Sequence, residues 1–167
     1  MNVILCGMMG AGKTTVALAL AKLTGYKSYD TDAEIVQKHG NISDIFARFG
    51  EAYFRDLETQ TVKELAKEQN AILSVGGGLV LRQENVEILK KTGKIVYLRA
   101  SLDTLTKRLQ GDTARPLLQG EEESLQDKLT RLLNARGAIY EKAADLVLDV
   151  DDKSPQAIAK QLLEKLG

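Results

Sequence analysis

An open parallel β-sheet covered on both faces by helices is the fold class that the sequence predicts, and three observations predict it. Short apolar runs alternate with longer stretches of helical period along the whole chain, the β-α-β-α pattern of a single layered unit. The runs at 2–6, 71–75 and 94–98 are continuous rather than alternating, as expected for parallel strands buried on both sides. A glycine-rich stretch joins the first run to the first helical pattern, and ligands of such sheets sit beyond the carboxyl ends of the strands.

The elements follow in order. Strands are expected at 2–6, 27–29, 71–75, 94–98 and 146–148, and helices at 13–23, 32–38, 43–49, 51–69, 84–91, 102–109, 124–140 and 155–166. The last helix is the best marked: Ser154 and Pro155 form an N-cap followed by proline at the first helical position. Ile158, Leu162, Leu163 and Leu166 supply its apolar stripe.

The chain has 167 residues, 44% of them hydrophobic, which suits one domain spanning 1–167 with a real core. No linker, repeat or low-complexity segment divides it. Lys and Arg number 23 against 23 Asp and Glu, so no global positive field favours a nucleic acid. No apolar run approaches the ~20 residues of a membrane span, and the short run before Gly7 is no secretory segment. A cytoplasmic protein is expected, and a monomer. Cys6 is the only cysteine and reads as a small buried hydrophobe at a strand end. The single histidine, His39, precedes Gly40 and reads as a surface helix terminus.

Gly7-Met8-Met9-Gly10-Ala11-Gly12-Lys13-Thr14 fits G-x-x-x-x-G-K-[ST] between an expected strand and an expected helix. Glycines let backbone N–H groups turn inward around phosphate oxygens, and the helix adds its N-terminal dipole. Lys13 then reaches the β- and γ-phosphates, and the Thr14 hydroxyl can ligate Mg²⁺. A purine triphosphate with Mg²⁺ is the implied ligand. A lysine in a first helical turn otherwise opposes the dipole, so its place there makes sense beside an anion.

Asp30-Thr31-Asp32 follows the second strand. If the extended geometry persists, both carboxylates point the same way and can serve a water-held Mg²⁺ and a substrate hydroxyl. The competing reading is that Thr31 or Asp32 simply caps the next helix. In the helix expected at 51–69, Arg55 and Glu58 fall on or beside the stripe that carries Val62 and Leu65, at a spacing that allows them to pair. Arg136 shares a face with Leu129, Leu132 and Tyr140. Guanidinium groups in such positions suit an anion held by a bidentate fork, although a structural ion pair and a snorkelling arginine remain the plain alternatives. Gly76-Gly77-Gly78 follows the third strand and permits close backbone approach. The polar segment 111–123, interrupted by Arg115-Pro116, reads as a lid that would deliver Arg115 to the phosphates. Arg108, just before it, suits either a helix C-terminus or a nucleotide.

Taken as a set, Gly7 to Thr14, Asp30-Thr31-Asp32, Phe54-Arg55-Asp56-Leu57-Glu58, Gly76-Gly77-Gly78, Arg115-Pro116-Leu117-Leu118 and Arg136 with Tyr140 closely resemble the shikimate kinase family over nearly the whole chain. The resemblance implies a three-layer α/β/α fold of the P-loop, nucleoside-monophosphate-kinase-like class, with five parallel strands in the order 2-3-1-4-5. It implies phosphorylation of the 3-hydroxyl of shikimate by MgATP on the route to chorismate. It makes Lys13, Asp32 and Arg115 catalytic, and Thr14 and Asp30 the Mg²⁺ shell. Asp32, Arg55, Gly76, Gly77, Gly78 and Arg136 would hold shikimate, the two arginines on its carboxylate, within a substrate segment at about 31–60. Gly10, Ala11, Gly12, Lys13, Thr14, Thr15, Arg108, Arg115, Pro116 and Lys153 would hold ATP. Ala138 and Ala17 depart from the family's frequent proline and glycine, which touches local backbone only. Another small-molecule kinase of this fold, such as gluconate kinase, and a non-catalytic nucleotide-binding module are the alternatives.

Overall fold

The computed structural model describes residues 1–109 and 124–167. Its elements run β1 (Asn2–Cys6), α1 (Lys13–Thr24), β2 (Lys27–Asp30), α2 (Thr31–His39), α3 (Ile42–Phe49), α4 (Glu51–Leu65), β3 (Ala71–Ser74), a 3-10 turn (Leu79–Leu81), α5 (Gln83–Thr92), β4 (Gly93–Arg99), α6 (Leu102–Leu109), α7 (Leu125–Ala143), β5 (Leu146–Asp149) and α8 (Pro155–Leu166). The expected lid at 111–123, with Arg115 and Pro116, lies outside the described residues.

The five strands form one parallel sheet in the order β2-β3-β1-β4-β5. β1 and β3 are buried at every position, which is why their sequences run apolar without alternation. The chain leaves β3 on one side of β1 and returns as β4 on the other. The carboxyl end of β1 therefore stands where the strand order reverses, the place where such sheets take ligands. α1 packs on α8, and Val16, Ala19 and Leu20 of the one and Ile158, Ala159 and Leu162 of the other are buried in the same core. The Ser154 hydroxyl accepts the Ala157 N–H at 3.1 Å, with Pro155 in the first turn as expected. His39 ends α2 on the surface, and no described helix is long and apolar enough to cross a membrane.

A second, smaller apolar cluster stands apart from this core. Ile35 of α2, Ile45 of α3, and Phe54 and Leu57 of α4 pack together, with Ile42 and Phe46 against them. The Phe46 and Phe54 rings lie 5.0 Å apart. α2, α3 and the first half of α4 thus make a helical lobe with its own hydrophobic contacts, attached to the sheet through β2 and the rest of α4.

Two helix ends depart from expectation by three residues or more. α7 continues to Ala143, three residues past the expected end, because Tyr140 and Ala143 stay on its buried face. α4 stops at Leu65 instead of reaching 69. There the Lys67 and Glu68 N–H groups bond to Glu64 and Leu65 carbonyls three residues back, tightening the turn, and Asn70 takes a left-handed φ of 52°. The turn is held from a distant point of the chain. The Asn2 side chain, 1% exposed, donates to the Glu68 carbonyl at 3.0 Å and accepts the Ala71 N–H at 2.9 Å. One buried amide therefore joins the start of β1 to the end of α4 and the start of β3.

Asn2→Ala leaves a buried carbonyl and a buried N–H without partners, an expected loss of about 2–3 kcal/mol. In a chain of this size that lowers the melting temperature by about 5–10 °C, measured by urea and thermal unfolding. A loss below about 0.5 kcal/mol would mean that solvent replaces both bonds.

Candidate active site

The loop between β1 and α1 wraps around the carboxyl end of β1. Gly10 and Gly12 have φ of +86° and +89°, left-handed values that a side chain would strain. α1 begins at Lys13 with no side-chain cap and no acidic residue in its first turn. Its unsatisfied N–H groups and its positive dipole end are thereby left to an anion. Lys13 Nζ arches back over its own loop and donates to the Gly7 carbonyl at 2.6 Å and the Met8 carbonyl at 3.5 Å. Thr15 Oγ1 donates to Gly12 O at 2.9 Å, and Arg108 Nη1 reaches Gly10 O at 3.2 Å from α6. Cys6, just before the loop, is buried, and burial pushes its thiol up to about 12, so it is no nucleophile.

The two aspartates come together for a reason other than the expected one. β2 ends at Asp30, and α2 begins at Thr31, so no extended stretch carries both side chains to one face. Instead Asp30 is itself the helix cap: Oδ1 accepts the Ala33 N–H at 3.1 Å, while Oδ2 accepts from Thr14 Oγ1 at 3.1 Å. Asp32 reaches the same cavity from the first turn of α2. Thr31 Oγ1 accepts the Gly76 N–H at 3.0 Å, which ties this corner to the end of β3. The Thr14 hydroxyl and the outer oxygen of Asp30 are hard donors that converge beside the phosphate loop. Mg²⁺ takes one or two such protein groups and completes its shell with water and phosphate, so the pair fits that ion. Among the described residues no larger group of His, Cys, Asp and Glu stands ready for a metal.

Beyond Val75 the glycine triplet meets charged faces of α4 and α7. A Cβ on Gly76 would stand 2.9 Å from Asp32 Oδ1 and 3.0 Å from Glu58 Oε2, and one on Gly77 would stand 3.4 Å from Arg136 Nη1. On Gly78 it would overlap the Arg55 guanidinium. Arg55 pairs with Glu58 Oε1 at 2.7 Å and with Glu51 at 3.1 Å, and its charge lies 5.5 Å from the Phe54 ring centroid. Glu58 is 1% exposed, Arg136 is 7% exposed, and both are incompletely satisfied. Glu58 Oε2 and Arg136 Nη1 are buried without hydrogen-bond partners. Each such orphan costs about 1–3 kcal/mol, a cost that a ligand with both an anionic and a donor group removes. Burial pushes the Glu58 carboxyl up to about 6 against the opposing pull of Arg55. Burial also works against the charge on Arg55, yet Glu58 and Glu51 outweigh it and hold its pKa above the ordinary value.

One cavity of about 450 Å³ gathers Gly10, Gly12, Lys13, Thr14, Thr15, Asp30, Asp32, Gly76, Gly77 and Arg108. Ala11 is buried in the loop beneath it. Arg55, Gly78 and Arg136 do not line it, but adjoin it through the triplet. Lys153 stands apart, bonded to Gln161 at 3.2 Å on the exposed flank of α8, so no contact with the cavity supports its expected role. Arg115 and Pro116 lie outside the described residues. Glu58, expected only as a partner of Arg55, also faces the triplet, and a carboxylate on a buried stripe is the sequence signal for it. Thr31 had no such signal, because its bond to Gly76 spans 45 positions of the chain.

This geometry has close counterparts. The family model for shikimate kinase matches residues 9–167. A shikimate kinase of Chromobacterium violaceum is 41% identical over 166 residues, covering 99% of this chain and 89% of the relative. One from Coxiella burnetii is 42% identical over 165 residues, covering 97% and 91%. The solved structure of shikimate kinase from Acinetobacter baumannii in complex with shikimate superposes with a TM-score of 0.93 at 37% identity, covering 98% of this chain and 91% of that one. A Bacillus subtilis protein bound to phosphorylated GDP, 21% identical with a TM-score of 0.67, shares the fold. Likeness of this extent, in sequence and in backbone alike, makes the chain a member of the shikimate kinase family.

Proposed function

We propose that the chain transfers the γ-phosphoryl group of ATP to the 3-hydroxyl of shikimate, giving shikimate 3-phosphate and ADP on the route to chorismate and the aromatic amino acids. The observation that carries this reading is the buried, unpartnered Arg136 Nη1 facing Gly77, at the rim of a cavity that begins at the phosphate loop. A carboxylate at the triplet satisfies that nitrogen, and the ring that bears it extends toward Asp32 and the phosphates.

Phosphoryl transfer through a loose transition state needs alignment and charge neutralisation more than covalent chemistry. The loop N–H groups and the first turn of α1 cradle the phosphates, and Lys13 exchanges its Gly7 and Met8 carbonyls for phosphate oxygens. Thr14 and Asp30 would hold Mg²⁺, which supplies charge neutralisation on the β- and γ-phosphates when bound. Asp32 accepts the hydrogen bond of the attacking hydroxyl and orients it, and is the group placed to take its proton. Arg55 and Arg136 grip the carboxylate, with Glu58 keeping Arg55 in its orientation. Arg115, from outside the described residues, is proposed as a further cation at the phosphates, and Pro116 as its neighbour near adenine. On this reading 1–167 is one kinase unit acting as a monomer in the cytoplasm.

Lys13→Ala removes the main protein cation from the phosphates, and kcat should fall by about 10²-fold or more with an unchanged melting profile. Near-normal turnover by the folded variant would contradict the loop assignment. Arg136→Ala should weaken shikimate by about 1.5–3 kcal/mol, one to two decades in Kd, and leave a nucleotide analogue unaffected. Calorimetric titration with each ligand decides it, and equal weakening of both would make Arg136 structural.

The Glu58 carboxyl has a pKa of about 6 in the folded chain against an ordinary 4.5. Its contribution to stability is therefore full below pH 4.5 and is lost as pH rises through 6, a change of about 2 kcal/mol. Glu58→Gln should flatten that slope, seen as a wild-type-minus-variant difference in urea stability that shrinks between pH 4.5 and 7. A parallel pair of curves would show that folding leaves the Glu58 carboxyl unshifted.

A further inference from the structure

Tyr140, fully buried, lies one turn beyond Arg136 on α7. Its hydroxyl donates to the Gly77 carbonyl at 2.6 Å. The same oxygen stands 3.8 Å from Met8 Sδ in the phosphate loop. A phenol has one proton to give, so the short bond to Gly77 takes it and Met8 is a packing contact. A Cβ on Gly77 would stand 3.4 Å from Arg136 Nη1, 3.6 Å from the Tyr140 hydroxyl and 3.9 Å from the Gly7 carbonyl, so three elements converge on the middle glycine. The Tyr140 ring is braced 5.1 Å from that of Tyr97, itself buried on β4.

We propose that Tyr140 is a positioning residue for the acceptor: its hydroxyl pins the Gly77 peptide to α7, fixing the distance between the glycine triplet and the Arg136 guanidinium that receives the carboxylate. The proposal rests on the shikimate reading above. Gly77 has no side chain to hold its peptide in place, and loose peptides do not keep a fixed geometry against a charged fork. Tyr140 supplies that restraint from the helix that carries the arginine. Because Met8 packs on the same oxygen, the restraint also references the acceptor side to the phosphate loop. Burial pushes the phenol up to about 12, with Arg136 opposing, so the group remains a donor throughout the working range and does not relay a proton.

Tyr140→Phe removes a single oxygen and keeps the ring against Tyr97. With a thermal melt confirming the folded state, its KM for shikimate should rise about tenfold while KM for ATP stays within about twofold and the pH profile of kcat keeps its wild-type shape. Arg136→Ala should cost less in the Tyr140→Phe background than in the wild type, because the two groups act on one peptide. Tyr97→Phe is the control: the Tyr97 hydroxyl has no hydrogen bond among the described residues, so wild-type kinetics are expected. A Tyr140→Phe chain with wild-type shikimate KM, even at a lowered melting temperature, overturns the proposal, since a merely structural tyrosine would behave that way. An equal rise in both KM values, a lost limb of the pH profile, or the same shikimate defect in Tyr97→Phe overturns it as well. A wild-type chain that does not turn over shikimate overturns the functional reading and this proposal together, whereas wild-type turnover with an unaffected Tyr140→Phe variant overturns the proposal alone.

Discussion

The close approach of the glycine triplet to the charged faces of α4 and α7 is the constraint on which the rest of the site depends. Arg55, Glu58 and Arg136 are buried charges, and buried charges are tolerated only where partners meet them. Arg55 has Glu58 and Glu51, but Glu58 Oε2 and Arg136 Nη1 have none. Any side chain at Gly76 or Gly78 would fill the space these groups occupy. The strand end, the two helices and the orphaned atoms are thus one arrangement, destabilised until a ligand of complementary charge completes it.

That arrangement also explains why the molecule is built in two apolar units. The central core fixes the phosphate loop, β3 and α7 relative to one another through strands buried on both faces. The lobe of α2, α3 and α4 carries Asp32, Arg55 and Glu58 on a separate cluster around Phe54 and Ile45. On the proposed reading, the groups for the phosphates sit on the larger unit and part of the acceptor grip sits on the smaller one. The Thr31 to Gly76 bond and the Asp30 to Thr14 bond are two polar links between them at the site.

Features encoded by neighbours in sequence were legible before the fold was known. The strand, the glycine-rich loop, the helix-starting Lys13 and the Ser154-Pro155 cap are each specified within a few residues, and all stand where expected. A charge interrupting an apolar stripe marked Arg55 and Arg136, and both prove to be buried beside the glycine triplet. The strand order 2-3-1-4-5 came from family resemblance, since nothing local encodes which strands become neighbours. Where long-range contacts decide, local reading failed. Asp30 caps α2 and ends the extended geometry at once, so the two aspartates converge through a helix start. α4 ends early because Asn2, at the far end of the chain, holds its last turn. Thr31 and Tyr140 act on glycine peptides 45 and 63 positions away, and hydroxyls at such separations leave no periodic trace.

On the proposed reading the acceptor is selected by its carboxylate while phosphoryl transfer is driven from the loop. ADP release from MgATP, followed with the unmodified chain, tests it most directly when three conditions are compared: no acceptor, shikimate, and the shikimate carboxamide at equal concentration. Rapid release is expected only with shikimate, and a rate with the carboxamide lower by at least about one decade, the discrimination that follows from losing a charge-assisted partner at Arg136. Release that is independent of acceptor, or equal with acid and carboxamide, would contradict it.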